Sequence, residues 1–180
     1  MKSIKAHGLR FAISIIVMSA TVGCDQASKY AARSFLSDAH PLSFFGGSLK
    51  LTLLQNSGAF LSFGSRLPGH LRFLLFSVFC GSAVLAGIVY LMFKKQISNR
   101  LAFSAAMVIG GAVGNLIDRF VFHGPVTDFL DLSIGPLHTG VFNVADMAVM
   151  LGAGLWLLES RRQPNLSFNS DPTGTGGFHV

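Results

Sequence analysis

Residues 141–158 read V-F-N-V-A-D-M-A-V-M-L-G-A-G-L-W-L-L, and this stretch decides the fold. It has no Gly-Pro break and falls within the roughly 17–25 residues that cross a bilayer as a helix. One carboxylate, Asp146, interrupts the apolar run, with Asn143 at i−3. A charge at mid-membrane costs on the order of 2.5–3.5 kcal/mol on insertion scales, so an acid in such a helix marks a functional site. Asp146 stands five residues into the run, which at 1.5 Å per residue places it roughly 7–8 Å below the membrane surface. That is shallow enough for water and poorly solvated for a carboxylate.

The rest of the chain fits a membrane protein. It has 180 residues, of which 51% are hydrophobic and only 12% charged, and its mean hydropathy is +0.55. Soluble domains carry about 25% charged residues. The net charge of +6 comes from Lys and Arg that mostly flank apolar runs and suit anionic lipid headgroups. No basic stripe is interleaved with aromatics, so a nucleic-acid partner is not expected. Cys24 and Cys80 each lie in an apolar run without metal-ligand spacing and read as small packing residues.

Working outward from the last helix, Leu101–Phe122 reads as a second crossing. Gly110, Gly111 and Gly114 give it a small-residue surface on which another helix can pack. Asn115 and Asp118 share a face, repeat the Asn-x-x-Asp spacing of 143–146, and are followed by Arg119. Phe73–Phe93 is an uncharged crossing closed by Lys94-Lys95. The N-terminal residues have Lys2, Lys5 and Arg10 before an apolar run ending at Gly23-Cys24. Alone this resembles a signal peptide with a lipoprotein-type end, but three further apolar runs favour an uncleaved first helix. Asp25 and Lys29, spaced i and i+4, support a helix end there; an ion pair at the bilayer edge and a place in the site are both open readings.

Two segments are not crossings. Leu42–Phe45 and Ser48–Leu53, separated by Gly46-Gly47, predict a small hairpin within residues 42–64. Its apolar face suits a lipid surface, and Asn56 and Gly58 follow it. Residues 123–140 read as a connection in which Val126–Leu132 alternates loosely. If that piece is extended, Asp128 shares a face with Val126, Leu130 and Leu132, while Asp131 points the other way.

Helices at about 9–25, 71–93, 101–122 and 141–158 make an all-α integral membrane fold of four transmembrane helices. A small β-hairpin or sheet element and a loop join them on one side. Residues 1–162 form the membrane domain, and the Gly-, Ser-, Asn- and Pro-rich residues 163–180 read as a disordered tail. With four crossings both termini share a side. Eight of the 14 Lys and Arg fall there, which makes that side cytoplasmic. Every polar motif then collects at the opposite, periplasmic face.

The chemistry-bearing residues in that group are carboxylates, Asn amides and one Arg. No His-Glu-x-x-His zinc motif, phosphate loop or Cys pair is present, so neither a metal nor a cofactor is expected. Two carboxylates in a poorly solvated site share one proton. Such a pair can activate water while hydrogen-bonding a peptide carbonyl. Intramembrane acids also serve transporters and proton relays, so the residues alone leave a membrane hydrolase, a proton-coupled transporter and a structural module open.

Five short stretches in order resemble the motifs of lipoprotein signal peptidase (signal peptidase II), a bacterial integral-membrane aspartic protease. They are Asp25-Gln26-x-Ser28-Lys29, Asn56-x-Gly58-Ala59, Gly114-Asn115-x-x-Asp118-Arg119, Val126-x-Asp128-Phe129 and Phe142-Asn143-x-Ala145-Asp146. The resemblance implies an endopeptidase of the bacterial inner membrane that removes the signal peptide of diacylglyceryl-modified prolipoproteins, cutting just before the lipidated cysteine. It assigns Asp128 and Asp146 as the catalytic pair. Asn56, Gly58, Asn115, Arg119 and Asn143 line or support the site, with Asp25 and Lys29 at its edge. Asp118, beside Arg119, is expected in a structural ion pair. Partners are the prolipoprotein and membrane lipids, with the chain a monomer. One departure stands out: Phe60-Leu61 precedes Ser62 where the family usually has a small residue and then Phe.

Overall fold

The computed structural model describes residues 2–37, 40–59, 63–94 and 97–162, with backbone alone for 2–7 and 162. The expected tail at 163–180 and the Phe60-Leu61 departure lie outside the described residues. The elements are α1 (Lys2–Phe35), β1 (Leu42–Phe44), β2 (Leu49–Asn56), α2 (Gly69–Phe93), α3 (Asn99–Val121), β3 (Val126–Ile134), β4 (Leu137–Phe142) and α4 (Val144–Arg162).

Three of the described helices are long and apolar enough to cross a membrane: Gly8–Phe35 within α1, Gly69–Phe93 and Asn99–Val121. Their outward faces are apolar. On α2, Phe73, Leu74, Phe79, Leu85 and Phe93 are all exposed, more contiguous apolar surface than a soluble monomer leaves uncovered. One turn of α2, Leu74–Phe79, widens to π-helical bonding, and there Phe76 and Ser77 turn inward and become buried.

The bundle is centred on α3. Close approach is built from glycine, as the small-residue surface predicts. A Cβ on Gly110 would lie 2.9 Å from Thr21 of α1. On Gly111 it would collide with the Ala145 carbonyl of α4, and on Gly114 it would stand 2.6 Å from Asp25 Oδ2. Dispersion contacts at such separations hold helices together where lipid offers no hydrophobic drive. At the opposite end of the bundle from the strands, Leu91, Ala102, Ala105 and Ile109 form a small apolar core with Met18, Ile88 and Trp156 against it.

The strands modify the expected fold. Residues 123–140 are not a plain connection: β3 and β4 pair with the predicted hairpin to form one antiparallel sheet ordered β1-β2-β3-β4. Lys50 pairs with Asp131, Leu54 with Asp128 and Asn56 with Val126, so the turn after β2 lies beside the start of β3. The register shifts between Leu51 and Leu54. "All-α" therefore understates the architecture. The loose alternation of Val126–Leu132 has a physical cause: Val126, Thr127, Asp128 and Phe129 are buried in succession. With both faces covered, neither face needed to be polar.

Two helix ends also differ from expectation. α1 continues ten residues past Asp25, to Phe35, because the polar side chains of that stretch turn inward. α4 begins at Val144, since β4 occupies Leu137–Phe142. Asp146 is therefore in the first turn of its helix, not five residues deep in a crossing.

Candidate active site

Asn143 stands between β4 and α4 and caps α4. Its Oδ1 accepts from the Asp146 amide at 2.9 Å, and its own amide donates to Asp146 Oδ2 at 3.3 Å. This is a reciprocal capping box written with Asn and Asp. It fixes the Asp146 carboxylate at the helix N-terminus, where backbone N–H groups favour negative charge. The free end of the Asn143 side chain reaches the other acid: Nδ2 donates to Asp128 Oδ1 at 2.6 Å. One residue thus touches both carboxylates.

The remaining oxygens are also held. Asp146 Oδ1 accepts from Asn115 Nδ2 at 2.9 Å, and Asp128 Oδ2 accepts from Asn56 Nδ2 at 2.8 Å. Asn56 is set by its own turn, accepting from the Gly58 amide at 2.9 Å and donating to the Ala59 carbonyl at 3.0 Å. Arg119 Nη2 closes that turn from α3 by donating to the Gly58 carbonyl at 2.9 Å. Burial lifts the Asp128 carboxyl to about 6, with the Asp146 charge adding to it; hydrogen bonds from Asn56 and Asn143 oppose the rise.

Behind this pair lies a fully buried charge cluster. Lys29 Nζ stands 2.8 Å from Asp25 and 3.3 Å from Asp118, and donates to Asn115 Oδ1 at 2.9 Å. Asp25 Oδ1 accepts from the Ala145 amide at 2.9 Å, taking a second donor of α4's first turn. Asp118 Oδ2 accepts from the Thr127 amide at 2.9 Å, tying α3 to β3 just before Asp128. Asp25 and Lys29 are therefore interior, not an ion pair at the bilayer edge. Asp118 does sit in an ion-pair cluster, but with Lys29 and, at 4.0 Å, Arg33. Arg119 points the other way, toward Gly58. Adjacency suggests that Arg119 pairs with Asp118, yet neighbours on a helix are about 100° apart and face different elements.

All of the singled-out side chains, Asp25, Lys29, Asn56, Asn115, Asp118, Arg119, Asp128, Asn143 and Asp146, fall in one connected region together with Gly58. Asp131 stands apart, half-covered near His138 at 3.9 Å and opposite Lys50. Gln26 was missed as a site residue. Its amide nitrogen lies 3.0–3.2 Å from the Gly114 carbonyl, Asp25 and Asp118. Thr127 and Arg33 were missed too: Arg33 Nη1 donates to Thr127 Oγ1 at 3.0 Å. Gln26 carried a signal, lying inside a motif one residue from Asp25; Thr127 carried none. Among the described residues no group of three His, Cys, Asp or Glu is placed to hold a metal ion.

The family model described as signal peptidase (SPase) II matches residues 17–162. The lipoprotein signal peptidase of Photorhabdus laumondii is 40% identical over 116 residues, 64% of this chain and 68% of that protein. That of Francisella tularensis subsp. mediasiatica is 36% identical over 154 residues, covering 83% and 89%. Two solved structures, each described as a bacterial membrane enzyme, share the fold. One has a TM-score of 0.71 at 23% identity and covers 94% of both chains. The other has a TM-score of 0.69 at 25% identity, with 83% of this chain and 92% of that one covered.

Proposed function

The chain belongs to the signal peptidase II family, a family of bacterial membrane peptidases, and from that premise we propose that it is an aspartic endopeptidase using Asp128 and Asp146. Its substrates are prolipoproteins whose cysteine carries diacylglycerol, cut at the bond before that cysteine. The observation that carries the reading is the placement of Asn143, which hydrogen-bonds both carboxylates at once.

The chemistry follows from two acids sharing one proton. The ionised member takes a proton from water as the water oxygen attacks the peptide carbonyl carbon. The protonated member gives its proton to the carbonyl oxygen, forming a tetrahedral diol. Collapse breaks the C–N bond: a carboxyl proton passes to the cysteine nitrogen, which leaves as the amine. A diol hydroxyl returns its proton to the ionised acid as the carbonyl re-forms, so the pair again holds one proton. The signal peptide departs as a carboxylic acid that ionises in water. Asn56, Asn115 and Asn143 hold the oxygens in place; Lys29 and Arg119 act through Asn115 and Gly58 as positioning residues. The pair titrates jointly, so its proton belongs to both acids.

In this reading α4 also crosses the bilayer, both termini are cytoplasmic, and the carboxylates open to the periplasmic side. The short first turn before Asp146 supports access from water at that side. Proton-coupled transport, which the acids alone leave open, gains no support from family membership. The test is cleavage by the purified protein in detergent of a prolipoprotein with and without diacylglycerol on its cysteine. Release of the signal peptide from the lipidated form alone is expected. Equal cleavage of both forms, or of neither, contradicts the substrate assignment.

A further inference from the structure

A cavity of about 130 Å³, with basic groups set among Phe73, Phe76 and Pro125, lies beside the carboxylate network rather than within it. Ser57 after β2, Arg72 and Ser77 from the first turns of α2, and Arg119 and His123 from the end of α3 form its walls. Three side chains able to carry positive charge meet there, and no Asp or Glu is among the lining residues. The N-terminus of α2, at Gly69, borders the same space and adds the partial positive charge of its unpaired amides.

Arg119 supplies a second observation. Its Nη1 and Nη2 donate to the Asn115 and Gly58 carbonyls, but its Nε is buried without a hydrogen-bond partner among the described residues. An unmet donor on a buried charged group is costly and calls for an acceptor at the cavity wall. His123, at the rim, is the left-handed residue that ends α3, with φ of 56° and the Gly124 amide donating back to the Arg119 carbonyl, a helix ending that sets its imidazole beside the cavity. The space equals about four waters at ~30 Å³ each, which suits a tetrahedral oxyanion.

We propose that this cavity binds the phosphate of an anionic phospholipid headgroup. The lipid source follows from position: Phe73 and Leu74, the two residues after Arg72 and both exposed, begin the apolar surface of α2. The cavity therefore stands at headgroup level. The bound phosphate accepts from Arg72 and from Arg119 Nε. Arg119 in turn holds Gly58, and Gly58 holds Asn56 against Asp128. Headgroup binding thereby steadies the turn that positions one acid, so turnover rises with anionic lipid. The binding stands apart from the peptidase reading; the effect on turnover rests on it.

The test uses the full chain in nanodiscs of phosphatidylcholine, with and without phosphatidylglycerol, read by thermal unfolding and by cleavage of a diacylglyceryl-modified prolipoprotein. Phosphatidylglycerol is expected to raise the wild-type midpoint and to increase turnover several-fold. Arg72→Gln should melt and cleave like wild type in phosphatidylcholine but lose both increases. Arg66→Gln, an equal charge loss at an exposed neighbouring position, should keep them. Equal increases in wild type and Arg72→Gln overturn the site. A rise with inorganic phosphate in phosphatidylcholine discs, abolished by Arg72→Gln, overturns the headgroup as source. A midpoint rise without cleavage in any disc leaves the site standing and contradicts the peptidase reading instead.

Discussion

The chain contains the spacing Asn-x-x-Asp twice, at 115–118 and 143–146, and uses it for two different ends. In α3 the motif lies inside a continuous helix, so its backbone amides are already bonded and its side chains are free to point at neighbours. Asp118 is drawn to Lys29 and the Thr127 amide, while Asn115 bridges Lys29 and Asp146. At 143–146 the motif falls where a strand becomes a helix. There the amides are unpaired, so Asn143 and Asp146 cap each other and Asp146 is presented toward Asp128. Spacing places two groups on one face; the backbone around them decides whether the acid becomes a structural counter-ion, as Asp118 does, or is held by a helix cap beside a second acid, as Asp146 is.

The largest expected effect on stability comes from the inner motif. Lys29→Met leaves Asp25 and Asp118 buried without their shared cation, and removing one member of a buried ion-pair cluster costs about 3–5 kcal/mol. Thermal unfolding in detergent should show the loss, and an unchanged midpoint would mean the cluster contributes little.

A smaller effect sharpens the outer motif, through the acid that Asn143 shares. Asp128 titrates near 6, above the usual carboxylate range. A pair that works with one proton is filled as pH falls through that region, so turnover should decline on acidification below about 6. Asn56 favours the charged form of Asp128; Asn56→Ala removes that help and should move the acid limb of the pH profile to higher pH. A limb that stays or moves lower contradicts the placement of Asn56. The smallest effect belongs to Asp131, which lies outside the network: Asp131→Asn should leave turnover nearly unchanged, and a loss like that of an Asp128 variant would mean the wrong acid of β3 was chosen.

Much of this was legible in the residues, and what was not has identifiable causes. The glycine surface of α3 could be read because only close helix contact demands Gly110, Gly111 and Gly114 together. That the polar motifs around Asn56, Asn143 and Asp146 and the acids of residues 126–132 lie on one face was readable from the order of the apolar runs; the choice of Asp128 over Asp131 came from the family resemblance. The end of α1 was misplaced because Asp25, Gln26 and Lys29 look like an exit into water, whereas their partners Gly114 and Asp118 come from a helix nearly 90 residues away. β3 was hidden because burial of Val126–Phe129 on both faces erases the period-two signal. β4 was hidden because its start, exposed Leu137-His138-Thr139 and then Gly140, carries no apolar alternation at all. The start of α4 was recoverable, since Asn143 with an acid three residues on is itself a helix-start pattern, but the surrounding apolar run masked it.

The central claim is that the acids of the two Asn-x-x-Asp motifs are not equivalent, and that Asp146 works with Asp128. It is tested most directly by turnover of a diacylglyceryl-modified prolipoprotein by Asp128→Asn, Asp146→Asn and Asp118→Asn, each checked for folding by its unfolding midpoint. The first two are expected to fold and lose about 10²–10⁴-fold or more in rate, the range of general acid–base catalysis, while Asp118→Asn mainly lowers the midpoint and cleaves wherever it is folded. Near-normal cleavage by a folded Asp128→Asn or Asp146→Asn protein would contradict the claim.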